Sequence, residues 1–217
     1  MRGRWIWTAA LLGYAVFSLW YDNWSGPLRA EEIDALLARA RAQEQIEPER
    51  LAAVRAFLEA DDGREFFMLN LLRPHSEPVA MPGTGEKKRA REVMDGYTRH
   101  FMPALLRRAG HPALFGRAAG GYLEAWGAGA DPGWTLSGVI RYRSRRDMME
   151  LATDPAFGPA HAFKIAALER TLAFPLSPAF VVVGPRVWIA LLLALLAALA
   201  HVALLGVRGR RAQISRR

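Results

Sequence analysis

The stretch FFMLNLLR, residues 66–73, decides the fold because it is the clearest strand in the sequence. It is short and almost wholly apolar. Residues that interrupt secondary structure flank it, with Asp-Asp-Gly at 61–63 before it and Pro74 after it. A run of this kind is typical of a strand that is covered on both faces. Asn70 is its one mid-strand polar residue, and a buried amide needs hydrogen-bond partners. Asn70 is therefore the first candidate for a functional site.

The sequence after this strand alternates between helical and extended periodicity. The expected elements are a helix over 86–109, strands over 113–126 and 134–143, a helix over 145–168 with a pause at 154–155, and a strand over 171–176. Ser144, with an acid three residues later, predicts where the second helix begins. Together with residues 66–73, this order is the βαββαβ of a ferredoxin-like α+β domain.

Polar side chains on these elements predict a pocket. In the strand over 134–143, alternate residues point to opposite faces, and one face carries Ser137 and Arg141. The candidate pocket residues are Asn70, Arg141, Tyr97, His161 and Ser137. An amide and a guanidinium stabilise an enolate or a carboxylate while a histidine transfers protons. We expect Asn70 and Arg141 to project into one cavity, and Arg141 to pair with an acid or with backbone carbonyls when no ligand is bound.

Two apolar segments predict membrane helices near the chain ends. Residues 5–21 contain no charge and have aromatic rings at both ends, and residues 187–207 contain a single polar side chain, His201. Arginines precede the first segment and follow the second, so the positive-inside bias places both termini in the cytoplasm. The central region is then periplasmic or extracellular, on a protein of the cell (inner) membrane. A cleaved signal peptide is the alternative for the first segment, but bulky residues occupy its cleavage region.

The segments give a five-part organisation. The expected parts are an N-terminal anchor at 1–24, a helical linker at 25–63, the ferredoxin-like domain at 64–180, a second transmembrane helix at 185–208 and a basic cytoplasmic tail at 209–217. The linker contains two helices that begin after Pro27 and at Pro48.

Charge and cysteine content exclude several function classes. The net charge is +8, yet the region from Asp22 to Arg186 holds 22 basic and 21 acidic residues, so the excess lies in the tails. A nucleic-acid partner is therefore not expected, because it needs a basic face on the folded domain. The chain has no cysteine, which excludes zinc-thiolate and iron-sulfur sites and a thiol nucleophile. We expect no metal and no cofactor.

Four stretches carry a family resemblance. They are MLNLLR at 68–73, MPALLRRAG at 102–110, VIRYRSR at 139–145 and DPAFGPAHAFKIAALE at 154–169. In this order and spacing they resemble the family numbered 1330 among the domains of unknown function, over about residues 64–176. The resemblance implies a dimeric α/β barrel, in which two ferredoxin-like sheets close back to back around a cavity. The chain departs from the family's Tyr-Pro-Ser-Arg at 142–145, and Lys164 stands where an arginine is frequent.

Three functions remain open at this point. Relatives of the barrel include cofactor-free monooxygenases, small isomerases and lyases, haem enzymes and non-catalytic members, so the fold does not select the function. The first hypothesis is a membrane-tethered small-molecule enzyme without a cofactor, and the second is a ligand-binding or assembly module. The third is haem binding through His161, His111 or His100. A homodimer is expected in each case, through the sheet face that carries Ser137 and Arg141, because a lone sheet leaves that face uncovered.

Overall fold

The computed structural model describes residues 3–43, 48–181 and 184–214. They form two compact units, one built from the chain ends, up to Asp22 and from Ala179 onward, and the other from Asn23–Pro178. In chain order the elements are α1 (Arg4–Tyr21), α2 (Ala30–Gln43), α3 (Pro48–Glu59), β1 (Phe66–Pro74), β2 (Val79–Ala80), β3 (Lys87–Lys88), α4 (Ala90–Arg107), β4 (His111–Arg117), β5 (Leu136–Tyr142), α5 (Arg145–Ala152), α6 (Gly158–Ala167), β6 (Leu168–Leu176) and α7 (Pro185–Ile214).

The first unit contains one helix that is long and apolar enough to cross a membrane. This part of α7 spans Pro185–Val207, with a mean hydropathy of 2.6, and no other described helix reaches the same combination of length and apolarity. The structure thus contains the predicted apolar helix near the C-terminus, whose length and composition suit a membrane span, whereas the spans themselves, in α7 and in α1, stay predictions. The predicted tail at 209–217 begins inside α7, and its last three residues lie outside the described part.

Within this unit α1 and α7 pack side by side in opposite directions. At one end Asp22 accepts hydrogen bonds from Arg186, whose Nε and Nη2 lie 2.7 and 2.6 Å from the carboxylate. Toward the other end the indole Nε1 of Trp7 donates to Nδ1 of His201 over 3.1 Å. Polar contacts near both ends hold the two helices in one register.

The second unit is built on a four-stranded antiparallel sheet with the strand order β4-β5-β1-β6. The connection from β1 to β4 contains α4, and the connection from β5 to β6 contains α5 and α6. This is the predicted βαββαβ order, so the α+β, ferredoxin-like class is confirmed for this unit. The long connection after β1 also contains a small hairpin of β2 and β3, which the sequence pattern did not predict.

Two strand boundaries differ from the prediction by three residues or more. The strand expected over 113–126 ends at Arg117, and residues 118–135 form a loop instead. Asp131 organises this loop, because its carboxylate accepts hydrogen bonds from the backbone N–H groups of Tyr122 and Gly133, at 2.9 and 2.8 Å. The last strand starts at Leu168, directly after α6, and not at residue 171.

The main core lies between the sheet and its helices. Phe66 of β1 stacks on Tyr142 of β5, and the two rings contact a cluster of α4 and loop side chains that includes Phe101 and Phe157. The helices α4 and α6 approach closely at Gly96, where a Cβ atom would meet the ring of Phe163 at 2.4 Å. Glycine at position 96 therefore sets the spacing between these helices.

The helices α2 and α3 belong to the same compact unit as the sheet. Buried side chains of α2 pack against α3 and against Met149 of α5. The guanidinium of Arg146 bonds to Glu32, and the pKa of Glu32 falls to about 2 because the Arg29 backbone N–H and Arg146 stabilise its carboxylate. Residues 25–63 are thus tied to the second half of the domain by packing and by charge.

Candidate functional site

The strand register separates the predicted pocket residues onto two faces of the sheet. Asn70 lies opposite Gly138, whereas Arg141 lies opposite Phe67 and Ser137 opposite Leu71. Because neighbouring residues in a strand point to opposite faces, Asn70 shares the helix-covered face, and Arg141 and Ser137 lie on the other face. The expected single pocket of Asn70 and Arg141 is therefore not formed within one chain.

Arg141 is bonded inside the protein and is only 1% exposed. Its Nε and Nη2 atoms lie 2.8 and 2.6 Å from the Oε2 atom of Glu65. Its Nη1 atom donates to the backbone carbonyl of Ala109 over 2.6 Å. The expected pairing with an acid and a carbonyl is thus found, and it assigns this guanidinium a structural role.

The backbone carbonyl of Ala109, which accepts the hydrogen bond from Arg141, lies at an unusual helix end. Ala109 has a φ of 55°, the left-handed conformation in which glycine is usually found. The hydrogen bonds from Ala109 N to Leu106 O and from Gly110 N to Leu105 O, both at 3.0 Å, complete a Schellman motif at the end of α4. A Cβ atom on Gly110 would lie 3.0 Å from the Arg141 carbonyl oxygen, so the close approach to β5 requires the glycine there.

Asn70 is half-buried, and its side-chain amide nitrogen donates hydrogen bonds to the backbone. Its Nδ2 atom donates to the carbonyls of Met68 and Gly138 at 3.0 and 3.3 Å. Its Oδ1 atom accepts no hydrogen bond from any residue that the structure describes. The side chain is held in place by two backbone contacts and still offers one acceptor on the helix side of the sheet.

Tyr97 lies in an aromatic cluster on the helix side. Its ring stacks on Phe101 with centroids 5.0 Å apart and meets Phe157 edge-on at 5.6 Å. Burial raises the pKa of Tyr97 well above its usual value, and a negative charge on Tyr142 would raise it further. Tyr97 is therefore a neutral hydroxyl group at physiological pH.

Two residues near Tyr97 were missing from the sequence-based set. The Nζ atom of Lys164, on α6, lies 5.6 Å from the centre of the Tyr97 ring. Burial likewise raises the pKa of Tyr142, which is 9% exposed. A lysine within the otherwise apolar helix GPAHAFKIAA was a signal that could have nominated Lys164. No local pattern distinguishes Tyr142, because the alternation of the strand simply places it on the apolar face with the other large side chains.

The three histidines considered for haem lie on three different elements. His161 is half-buried on α6, while the Nδ1 atom of His100 contacts the Gly96 carbonyl at 2.9 Å on α4. The Nδ1 atom of His111, on β4, contacts the carbonyl of Pro112 at 3.0 Å. Within the described ranges, no group of three His, Asp or Glu side chains has the arrangement of a metal site.

The sheet face away from the helices carries large apolar side chains. We call this the open face, and its apolar residues are Phe67, Leu69, Leu71, Leu114, Val139, Leu172, Phe174 and Leu176. Leu114, Leu172, Phe174 and Leu176 are 40–63% exposed. Polar side chains normally cover a sheet face that stays in water. Among the described residues of this unit, the open face is therefore an apolar surface that is only partly covered.

Comparison with known proteins gives one useful similarity. A protein of unknown function from Rhodopseudomonas palustris is 25% identical, with a TM-score of 0.50, over 63% of this chain and 96% of that one. A dimeric ferredoxin-like protein of unknown function from Jannaschia sp. CCS1 is more distant, at 10% identity and a TM-score of 0.34, over 52% of this chain and 99% of that one. No protein-family profile and no curated protein sequence matches. The similarity to the first structure supports the fold of the second unit and transfers no activity, and membership of the family numbered 1330 stays a prediction.

Proposed function

We propose that this protein is a membrane-anchored assembly module that forms a homodimer by packing two open faces against each other. The carrying observation is the row of exposed apolar side chains of β4 and β6 on that face, beside the half-buried apolar side chains of β1 and β5. Burying an apolar side chain stabilises an association by roughly 1.5–3 kcal/mol. Several such side chains on each copy favour a stable pair over two solvated sheets.

The position of the charges on this face supports the same arrangement. Arg141 lies at one end, bonded to Glu65, and Arg73 lies opposite Arg170 at the other end. Arg73 is itself bonded to Glu169 at 3.0 Å. The centre is therefore apolar and the ends are polar, as in protein interfaces with a hydrophobic core and a polar rim.

Light scattering of the full chain in mild detergent tests this proposal. The expected protein mass, after subtraction of the detergent, is twice the 24.1 kDa of one chain. A protein that stays at the mass of one chain at tens of micromolar would contradict the dimer.

We further propose that both α1 and α7 cross the inner membrane, so that the second unit lies on the periplasmic or extracellular side. The antiparallel contacts between Trp7 and His201 and between Asp22 and Arg186 support a paired span. The arginines outside each predicted span support cytoplasmic termini.

Reporter fusions check this topology. A reporter after residue 217 is expected to be active in the cytoplasm, and one inserted in the loop at 127–133 is expected to be active on the outer side. A single compartment for both reporters would show that the chain crosses the membrane only once or not at all.

A catalytic role for the residues predicted from sequence has no comparable support. Arg141 is already bonded to Glu65 and Ala109, and Asn70 lies on the opposite face of the sheet. The assembly function therefore fits the geometry better than the cofactor-free enzyme.

A further inference from the structure

Segments from three helices surround a surface cavity of the second unit. Its volume is about 480 Å³, within the range of about 300–1,000 Å³ that is usual for small-molecule sites. Four charged side chains line it, and they are Arg39 on α2, Arg108 at the end of α4, Glu150 on α5 and Asp154 just after α5. The fold therefore brings charged residues that are far apart in the sequence to one cavity.

The charges in this cavity are balanced, but most of them are unpaired. The side chains of Arg39 and Glu150 form no ion pair and no hydrogen bond with any residue that the structure describes. Arg108 and Asp154 form one long ion pair, with Nη2 and Oδ2 3.8 Å apart. Two cationic and two anionic groups thus line a single cavity with only this weak contact among them.

The balance of charge selects the kind of ligand. A simple anion near the two arginines would also meet the carboxylates of Glu150 and Asp154, and a simple cation near these carboxylates would also meet the arginines. A molecule that carries both charges satisfies both sets of groups. Guanidinium groups bind a carboxylate through parallel hydrogen bonds, so the arginines suit its negative end.

The helix ends favour the positive end of such a molecule. A helix C-terminus carries a partial negative charge. Ala42, in the last turn of α2, and Thr153, the C-cap residue of α5, both line the cavity. The ends of these two helices therefore add to the attraction of Glu150 and Asp154 for an ammonium group.

The remainder of the wall is small and firmly held. Thr153 is 4% exposed, and its hydroxyl group donates a hydrogen bond to the carbonyl of Met149 over 2.7 Å. Ala42 and Pro155 are exposed and have short side chains. These residues add no charge to the cavity and suit a short aliphatic group.

We propose that this cavity binds a small free amino acid, with its carboxylate on Arg39 and Arg108 and its ammonium group on Glu150 and Asp154. The long contact between Arg108 and Asp154 leaves both groups able to turn toward the ligand. The site is formed by helix ends, so it does not depend on the proposed contact between two open faces.

The threonine content of the chain allows a direct test. The sequence has six threonines, at positions 8, 84, 98, 135, 153 and 171, so labelling with 13C-methyl threonine gives six methyl signals by NMR. Loss of one signal in the variant Thr153→Ser assigns Thr153. The full chain in detergent micelles is titrated with L-alanine, with propionate, which lacks the ammonium group, and with ethylamine, which lacks the carboxylate.

The expected result is a shift of the Thr153 signal that depends on L-alanine, with the other five threonine signals as internal controls. Propionate and ethylamine are expected to bind about 10-fold more weakly or worse, because each loses one set of charged hydrogen bonds.

Two variants test the two ends of the ligand separately. Arg39→Gln and Glu150→Gln are each expected to weaken L-alanine binding about 10-fold. The matched controls are Arg41→Gln and Glu31→Gln, which change exposed residues of α2 outside the cavity and leave binding unchanged.

Several results would overturn the proposal. They are a Thr153 signal that does not respond to L-alanine, equal shifts of all six threonine signals, and binding of propionate or ethylamine as tight as that of L-alanine. Undiminished L-alanine binding by Arg39→Gln or by Glu150→Gln would likewise exclude the assigned residue. None of these results depends on the mass in light scattering, so the site and the homodimer are tested independently.

Discussion

Replacing Arg141 with methionine is expected to lower the free energy of unfolding by about 3–5 kcal/mol. Arg141 is 1% exposed, and the Glu65 side chain beside it is 15% exposed. Methionine fills much of the volume but leaves the Glu65 carboxylate desolvated without its cation, and it leaves the Ala109 carbonyl without this donor. Urea denaturation of the full chain in detergent, followed by circular dichroism, measures the change.

A double variant separates two contributions to the loss of stability, the lost ion pair and the buried charge that the single variant leaves unpaired. Glu65→Leu combined with Arg141→Met removes both charges, and its stability is expected to recover most of the loss, because an apolar pair can replace a buried ion pair. Arg170→Met is the matched control, since Arg170 is an exposed arginine on β6. A single variant at Arg141 that is as stable as this control would show that the bonds to Glu65 and Ala109 contribute nothing.

Charges placed on the open face are expected to abolish the dimer. Leu172 and Phe174 are 46% and 40% exposed and lie opposite Leu71 and Leu69 in the register of β6 and β1. In Leu172→Glu or Phe174→Glu, association would bury an unpaired carboxylate at a cost of several kcal/mol. Since about 1.4 kcal/mol corresponds to a tenfold change, the dissociation constant rises by about 100-fold or more.

The measurement is the protein mass by light scattering as a function of concentration. Ile165→Glu is the control, because Ile165 is an exposed apolar residue on α6, outside the sheet. It is expected to keep the mass of the wild-type protein. If both open-face variants kept the wild-type mass as well, the copies would associate elsewhere or not at all.

Local chemistry was sufficient for much of the fold. The run at 66–73 is a strand because it is short, apolar and bounded by breakers, and the structure places β1 at Phe66–Pro74. The Ser144 hydroxyl accepts a hydrogen bond from the backbone N–H of Asp147, so the cap predicted for α5 is confirmed. The apolar composition of 187–207, with His201 as the single polar side chain, likewise predicted the membrane-length part of α7.

Local signals were insufficient where the outcome depended on distant groups. The strand predicted through residue 126 ends at Arg117, because Asp131 bonds to the backbone of Tyr122 and Gly133 and organises a loop. The helix expected over 86–109 ends at Arg107, because Ala109 adopts the left-handed conformation and Arg141 bonds to its carbonyl. Neither contact has a signature within a short window of sequence.

The sequence by itself determined the α+β class, the strand-helix order, the membrane-length segment near the C-terminus and the alternation of side chains within each strand. Only the tertiary structure decided which residues share a face. The pairing of Asn70 with Gly138 and of Phe67 with Arg141 puts the two leading candidates on opposite sides of the sheet. The physical reason is that a shift of one residue in register moves every side chain of a strand to the other face, and register depends on packing between elements far apart in the chain.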